Sequence, residues 1–163
     1  MRIFYTDGSN SNNGKADSVG GYAYVEVSSA TGDCISTFSS SEYSAIGEVT
    51  NNRMEIMAVI SALRACGRAD DVLILSDSAY IVNCINENWM RRWKATGKTS
   101  TGKTPSNMDL WLTLERCMRR CGSVEFQHVK GHAQNVHNNM ADMLARQAMI
   151  SRRTLEANAK TPS

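Results

Sequence analysis

The fold is indicated most clearly by residues 72–77, VLILSD, in which four apolar residues precede a serine and an aspartate. A continuous apolar run of this kind is typical of a strand that is covered on both faces. Residues 3–7, IFYTD, repeat the pattern near the amino terminus. If the two strands are parallel neighbours, Asp7 and Asp77 meet at the carboxyl edge of a sheet, where open α/β proteins bind ligands.

The remaining segments predict a mixed sheet with helices packed around it. Residues 22–27 and 35–39 are expected to form two strands on either side of a turn, so the first three strands predict an antiparallel meander. Residues 124–129 predict a last strand. Strands that come first and then alternate with helices favour an α/β fold with parallel additions to the sheet. Apolar residues recur at helical spacing in four segments, 52–66, 79–87, 109–120 and 138–150.

Length and composition fit one domain. The chain has 163 residues, 42% of them hydrophobic and 21% charged. Because it contains no run of 18 apolar residues, the sequence excludes a membrane-spanning protein. The apolar run near the amino terminus is too short for a secretory signal, so we expect a cytoplasmic protein. Five cysteines without a C-x-x-C pair favour reduced thiols, mostly in the core.

A basic stretch points to a polyanionic partner. The formal net charge is only +2, so the local distribution of charge is more informative than the total. Arg91, Arg92 and Lys94 surround Trp89 and Trp93, which share a helix face because they are four residues apart. Cationic side chains bind phosphates and flat aromatic rings pack on sugars or bases, so this segment could bind nucleic acid.

Four acidic residues interrupt apolar elements, namely Asp7, Glu55, Asp77 and Asp142. Clustered carboxylates repel one another unless a cation joins them, and Mg²⁺ prefers carboxylate oxygens. Taken singly, each residue has a simpler interpretation. An Asp after a strand is more often a turn former or helix N-cap, Glu55 suits a helix amino terminus, and Asp142 could be solvated. The flanking sequence decides between these interpretations.

The flanking motifs resemble those of ribonuclease HI. They are TDGS at 6–9, TNNRME at 50–55, SDS at 76–78 and HVKGH at 128–132, with Asp142 ten residues further on. The resemblance covers residues 2–147 and implies a ribonuclease H-like fold, with a five-stranded mixed sheet flanked by helices. We therefore expect a catalytic domain at 1–150 and a C-terminal tail at 151–163 that is dispensable for cleavage. The sequence leaves open whether this tail folds on the domain or trails from it as a flexible basic arm.

The resemblance also implies a reaction. It is the hydrolysis of the RNA strand of RNA/DNA hybrids, without sequence preference, to give 5′-phosphate and 3′-hydroxyl ends. Asp7, Glu55, Asp77 and Asp142 match the four metal-binding carboxylates of the family, and Asp7 and Asp77 would bridge two Mg²⁺ ions, with Mn²⁺ as a substitute. His132 matches a loop histidine that helps to move protons or release product.

Substrate contacts follow from the same resemblance. Asn51 and Asn52 would test for RNA in the minor groove of the hybrid, with Asn13 as a third contact. Thr50 and Asn107 resemble a pair that holds a phosphate of the DNA strand. Trp89, Trp93 and Lys94 belong to a basic protrusion that receives the DNA strand. Of the two tryptophans, we expect Trp89 to lie partly in the core and Trp93 to make the contact.

Three alternatives stay open at this point. A hybrid-binding protein without catalysis would lack a carboxylate, yet all four are present. A DNA nuclease or integrase of the same fold is disfavoured by the Asn51–Asn52 turn, and a reverse transcriptase fragment is disfavoured by a chain that starts at Met1. The leading prediction is a monomeric enzyme that acts on RNA/DNA hybrids and has no membrane partner.

Overall fold

The fold is a five-stranded sheet with helices on both faces. The structure, a computed structural model, describes residues 1–131 and 135–160. Strand order across the sheet is β3-β2-β1-β4-β5. The first three strands pair antiparallel, whereas β1 with β4 and β4 with β5 pair parallel. The mixed sheet predicted from the sequence is therefore confirmed. Among the described residues, no helix has both the length and the apolarity needed to cross a bilayer.

Ten elements make up this fold. The strands are β1 (Arg2–Ser11), β2 (Ser18–Val27), β3 (Cys34–Ser44), β4 (Asp71–Ser76) and β5 (Ser123–His128). The helices are α1 (Asn51–Arg64), α2 (Ala79–Asn86), α3 (Trp89–Thr96), α4 (Met108–Arg119) and α5 (Val136–Ala159).

Side-chain alternation along the strands distributes the core between the two faces of the sheet. Phe4 of β1 and Ile74 of β4 lie in the main core, with Ile60 of α1 and Trp111 of α4. On the opposite face Val25 of β2 packs with residues of α5. Four of the five cysteines are buried and Cys34 is exposed, as the composition predicted.

Two glycines allow the helices to approach the sheet closely. A Cβ atom on Gly8 would lie 2.6 Å from the backbone N of Glu55, and one on Gly21 would lie 2.0 Å from the carbonyl O of Ala145. Distances this short exclude any larger residue without movement of the helix. Gly8 therefore positions the start of α1, and Gly21 fixes where α5 crosses β2.

Four element boundaries differ clearly from the sequence-based prediction. β2 starts at Ser18 instead of residue 22, and β3 continues to Ser44 instead of ending at residue 39. The other two are the ends of β1 and α5. β1 does not end at Asp7 but continues to Ser11, because its outer half still pairs with β2 after the pairing with β4 has stopped. The last helix does not end at Ile150 but continues to Ala159. An ion pair within the helix, between Arg152 and Glu156, and one with a distant loop, between Lys160 and Asp17, accompany this extension. Residues 151–159 of the tail are thus helical and continue α5.

Candidate active site

The pairing of β1 with β4 brings Asp7 and Asp77 together. The last parallel pair in this register is Thr6 with Ser76, and each aspartate is the next residue along its chain. Asp7 is buried and Asp77 is half-buried. The adjacency expected from the two similar stretches of sequence is confirmed.

Glu55 of α1 lies beside these two aspartates. It lies in the second turn of α1. This helix follows the N-cap Thr50, whose side chain accepts a hydrogen bond from Arg53 N. The cap fixes where the helix starts, and the absence of a side chain at Gly8 lets the helix pack directly on β1. As a result Glu55 is only 5% exposed, although it is an acidic residue near a helix end.

These three carboxylates form one cluster. Oxygen atoms of Asp7, Glu55 and Asp77 all lie within 4.8 Å of one another. Gly8 N donates a hydrogen bond of 2.9 Å to Asp7 Oδ1, whereas Glu55 Oε2 is buried and has no hydrogen-bond partner among the described residues. The cluster therefore places acceptors side by side and supplies few donors.

Burial and mutual repulsion control the protonation of the cluster. Burial raises the pKa of Asp7 to about 7, and the negative charge of Asp77 acts in the same direction. Burial also raises the pKa of Glu55 well above its usual value, with the charge of Asp7 as the next cause. In each case burial and the neighbouring negative charges disfavour the ionised form.

Asp142 borders the cluster without joining it. It lies in α5 and lines the same cavity, about 310 Å³ in volume, as Asp7, Glu55 and Asp77. Its side chain is 41% exposed and accepts a hydrogen bond of 2.9 Å from Arg146, one turn further along the helix. The fourth predicted carboxylate is therefore at the open side of the cavity, ion-paired with a surface arginine.

The loop that carries His132 starts beside this cluster. A Cβ atom on Gly131 would lie 3.1 Å from Asp77 Oδ2, so the backbone at Gly131 contacts that aspartate closely. His128 Nε2 lies 3.2 Å from the carbonyl O of Asp77. His132 itself lies outside the described residues, so its predicted role stays a prediction.

The start of α1, at Asn51 and Asn52, borders three cavities. Asn51 lines the carboxylate cavity, both asparagines line a second cavity of about 770 Å³, and Asn52 lines a third of about 910 Å³. Asn51 N also donates a hydrogen bond of 2.8 Å to Asn13 Oδ1, which links this turn to the loop between β1 and β2. The three predicted asparagine contacts are therefore neighbours, as expected.

The second cavity contains the predicted phosphate pair. Thr50 and Asn107 both line it, although they are 57 positions apart in the sequence. Arg53 holds the two sides together, because its guanidinium donates to Asn107 Oδ1 at 3.3 Å and to both oxygens of Asp109 at 3.0 and 2.9 Å. This paired arrangement raises the pKa of Arg53 and lowers the pKa of Asp109.

Both tryptophans line the third cavity. Trp93 is only 7% exposed and belongs to the main core, where it meets the ring of Trp111 at 6.2 Å. Trp89 is half-buried and packs at the edge of that core. Trp89 therefore lies partly in the core, as expected, and Trp93 is the more buried of the two because it packs on Trp111 of α4. The contact expected of Trp93 stays a prediction.

Lys94 lies apart from the predicted contacts. Its Nζ forms an ion pair of 3.0 Å with Glu115 of α4. The basic residues that line the third cavity are instead Arg91, Arg92 and Lys103. The structure does not bring Lys94 into this cavity, since α3 directs it to the neighbouring helix.

Two residues of the site had no assigned role in the sequence-based prediction. Arg53 lies inside the TNNRME motif, but its partner Asp109 is 56 positions away and no local pattern joins them. Asn138 is 2% exposed and lines the carboxylate cavity. Its position four residues before Asp142 places both on one face of α5, and this spacing is a signal that could have identified it.

The residues of this cavity fit a hard divalent cation. Carboxylate oxygens are the ligands that Mg²⁺ prefers, and a cation would satisfy the buried Glu55 Oε2 and offset the repulsion that raises the pKa of Asp7. In the part of the chain that the structure describes, no lysine or arginine lines this cavity.

Comparison with known proteins identifies the family. The family model described as RNase H matches residues 1–150. A ribonuclease H of Clostridium botulinum is 36% identical over 148 residues, covering 90% of this chain and 94% of the relative. One from Chlorobium phaeobacteroides is 40% identical over 153 residues, covering 93% of this chain and 97% of the relative.

Solved structures agree with this assignment. LC9-RNase H1, a type 1 RNase H with the type 2 active-site motif, has a TM-score of 0.73 at 30% identity, over 92% of this chain and 72% of that one. LC11-RNase H1, crystallised in complex with an RNA/DNA hybrid, has a TM-score of 0.69 at 24% identity, over 93% of this chain and 99% of that one. The chain therefore belongs to the RNase H family and is an RNase H enzyme.

Proposed function

We propose that this enzyme is an endonuclease that hydrolyses the RNA strand of RNA/DNA hybrids with two divalent cations. Its products would carry 5′-phosphate and 3′-hydroxyl ends, and cleavage would be independent of sequence. The observation that supports this proposal most strongly is the carboxylate cluster, in which three acidic side chains approach within 4.8 Å of one another at a buried position.

Asp7, Glu55, Asp77 and Asp142 would hold the cations, for which Mg²⁺ is the proposed ion and Mn²⁺ a substitute. When bound, such ions lower the pKa of the attacking water and stabilise the leaving oxygen. The protein contributes a rigid arrangement of ligands, because Asp7 is fixed by the sheet and Glu55 by the capped start of α1. To bind a cation, the Asp142 carboxylate would have to leave its ion pair with Arg146. His132 is proposed to move protons or assist product release.

The substrate would lie across the three connected cavities. Asn13, Asn51 and Asn52 present amide groups beside the carboxylates, where short polar side chains can test for 2′-hydroxyls of RNA. This supports selection for RNA in the strand that is cut. LC11-RNase H1, which has the same fold, is solved with an RNA/DNA hybrid, and this agrees with the proposed substrate.

The other strand would contact the second and third cavities. The Thr50 hydroxyl accepts a bond from Arg53 N and can donate its own proton to a phosphate oxygen, with the Asn107 amide opposite. Arg91 and Arg92 bring positive charge to the third cavity and Trp89 offers a partly exposed ring. Trp93 would support this surface from the core, and Lys94 would act through its pair with Glu115.

The test is cleavage of a labelled RNA/DNA hybrid, beside duplex DNA and duplex RNA, with Mg²⁺ or with EDTA. We expect cutting of the RNA strand of the hybrid only, with no cutting in EDTA and none by Asp77→Asn. A matched control is Asp71→Asn, on the same strand but at its opposite end. Wild-type protein that binds the hybrid but does not cut it with Mg²⁺ or Mn²⁺ would contradict the proposal.

Three further features stay predictions. They are a cytoplasmic location, a monomeric state, and a catalytic unit at 1–150 to which residues 151–163 add nothing essential. Sedimentation of the purified protein would test the second, and the truncation described below would test the third.

A further inference from the structure

We propose that Asn138 is a positioning residue of the carboxylate site. Its side-chain oxygen would accept a hydrogen bond from a water molecule that a divalent cation holds in the cavity. This inference rests on the proposed function, because it requires a cation at Asp7, Glu55 and Asp77. It adds to the four carboxylates a neutral group that orients water rather than binding the ion.

The first observation is an unsatisfied oxygen. Asn138 is 2% exposed, and its Oδ1 has no hydrogen-bond partner among the described residues. Folded proteins pair the great majority of their buried polar atoms, and the exceptions call for an explanation such as a bound water or ion. The Oδ1 atom of Asn138 is therefore buried and still needs a hydrogen-bond donor.

The second observation is location. Four buried side-chain atoms lack a partner in the described part of the chain, and those of Asn138 and Glu55 both belong to residues that line the carboxylate cavity. Two unsatisfied oxygens beside Asp7 and Asp77 place four acceptor-bearing side chains around one small space. The carboxylate cavity thus has two of these four unpaired buried atoms among its lining residues.

The chemistry of the cavity limits what can satisfy Asn138. Ionised carboxylates accept hydrogen bonds and donate none, so Asp7, Glu55 and Asp77 cannot serve the amide oxygen once they are charged. Mg²⁺ keeps several of its water molecules when it binds to proteins, and each such water points its protons away from the ion. A water molecule bound to a cation in this cavity would therefore present a proton that the Asn138 oxygen can accept.

A purely structural role explains the side chain less well. The first turn of α5 is capped by Asn135, whose side-chain oxygen accepts from Asn138 N at 3.0 Å. The cap thus uses the backbone of Asn138 and not its side chain. Because Asn138 lies one turn before Asp142 on the same face of α5, its amide faces the cavity from its buried side.

The experiment compares thermal unfolding in EDTA and in Mg²⁺ for wild type, Asn138→Leu and Asn138→Asp, together with kcat and KM for hybrid cleavage. Leu removes the oxygen at similar volume, so we expect an unchanged or higher Tm in EDTA. The rise in Tm on adding Mg²⁺ should fall by about half or more, and kcat should fall about 10-fold with little change in KM. Asp keeps an accepting oxygen and should retain the rise in Tm.

Val136→Ala is the matched control, because Val136 is 69% exposed in the same turn of α5. It should behave as wild type in every measurement. If Asn138→Leu lowers the Tm in EDTA strongly and keeps the full response to Mg²⁺, the residue is structural and the inference is wrong. If Asp fails as Leu does, the amide donor matters and the oxygen does not. A wild-type protein whose Tm does not respond to Mg²⁺ overturns the proposed function itself.

Discussion

Two groups of buried charge lie at opposite ends of the parallel strands β1 and β4, and they are built in opposite ways. At the amino ends, Arg2 donates to Glu26 through two hydrogen bonds of 2.8 and 3.0 Å and to the carbonyl O of Ala65 at 2.6 Å. At the carboxyl ends, Asp7, Glu55 and Asp77 face one another, and no lysine or arginine among the described residues lines their cavity. The first group is paired within the protein, whereas the second consists of like charges.

The difference is visible in the protonation of each group. Hydrogen bonding to Glu26 raises the pKa of Arg2 and so favours its charged form. Burial raises the pKa of Asp7 to about 7 and so disfavours its charged form. Whether the charged form is favoured therefore depends on whether the group has a partner of opposite charge, in addition to how deeply it is buried.

The largest expected contrast comes from removing one carboxylate at each end. Glu26→Gln leaves Arg2 with only the longer ion pair to Asp70, at 3.4 Å. It should reduce the free energy of unfolding by about 3 kcal/mol, near the lower end for buried pairs, because the Arg2 side chain is 31% exposed and keeps this second partner. This corresponds to a fall in Tm of roughly 6–12 °C. Thermal unfolding followed by circular dichroism measures it, and cleavage at 25 °C should stay unchanged.

Glu55→Gln should give the opposite result. Because it removes one of several like charges, the Tm in EDTA should not fall, while hybrid cleavage in Mg²⁺ should drop about 100-fold or more. A strong loss of stability in EDTA would show that Glu55 has a structural partner. The comparison between the two ends of the sheet would then fail.

A smaller effect is expected from pH. Between the usual Asp pKa of 3.8 and the folded value of about 7, folded Asp7 binds a proton that the unfolded chain does not. The free energy of unfolding in EDTA should therefore fall as the pH rises from 5 to 8, and the Tm by several degrees. Arg2 keeps its charge throughout this range, so the amino-end group should add no slope.

Asp7→Asn is the control for this prediction. It should weaken the pH dependence of the Tm in EDTA, because the amide does not titrate and only Glu55, whose pKa burial also raises, still contributes. Saturating Mg²⁺ should also flatten the profile, since a bound cation favours the ionised carboxylates at every pH in the range. A slope as steep in Asp7→Asn as in the wild type would assign the effect to another group.

Truncation after Ile150 should change cleavage little. The lost residues contact Ser11 and Ser41 through Arg153 and Arg152, at distances of 3.5 Å, and none of them lines the carboxylate cavity. We expect kcat within about twofold of the full chain, because the catalytic groups keep their ligand geometry. A truncated protein that folds but no longer cuts the hybrid would contradict the prediction.

The smallest effect is expected at an exposed ion pair. Asp17 accepts bonds from Lys160 and from Tyr43 at 2.6 Å, but the side chains of Asp17 and Lys160 are about half exposed. Solvent screens such pairs, so Lys160→Ala should change the Tm by less than about 2 °C. A change as large as that of Glu26→Gln would mean that burial does not separate strong from weak pairs in this protein.

Much of the fold and the metal-binding part of the site could be predicted from local sequence. Apolar strands that end near an aspartate placed Asp7 and Asp77 at one edge, and the parallel register of β1 and β4 confirmed it. Element types were predicted well, whereas the ends of β1 and α5 were not. Those ends depend on partners in distant segments, namely β2 for Ser11 and Asp17 for Lys160.

Side-chain environments were harder to predict than elements. The spacing of Trp89 and Trp93 identified a shared helix face, but only packing against Trp111 shows that Trp93 is the more buried. Lys94 has the positive charge expected of a phosphate contact, but it forms an ion pair with Glu115 instead. Periodicity says which residues lie on one face, and the neighbouring element decides what that face meets.

The sequence by itself determined the strand pattern, the order of the motifs and the four acidic residues, because these depend on local periodicity and on residue type. Only the tertiary structure decided that three carboxylates form a close cluster while Asp142 pairs with Arg146, and that Asn138 is buried without a partner for its oxygen. The physical reason is that burial and pairing are properties of several chain segments together. A charge or an amide has its functional meaning only once the fold has fixed what surrounds it.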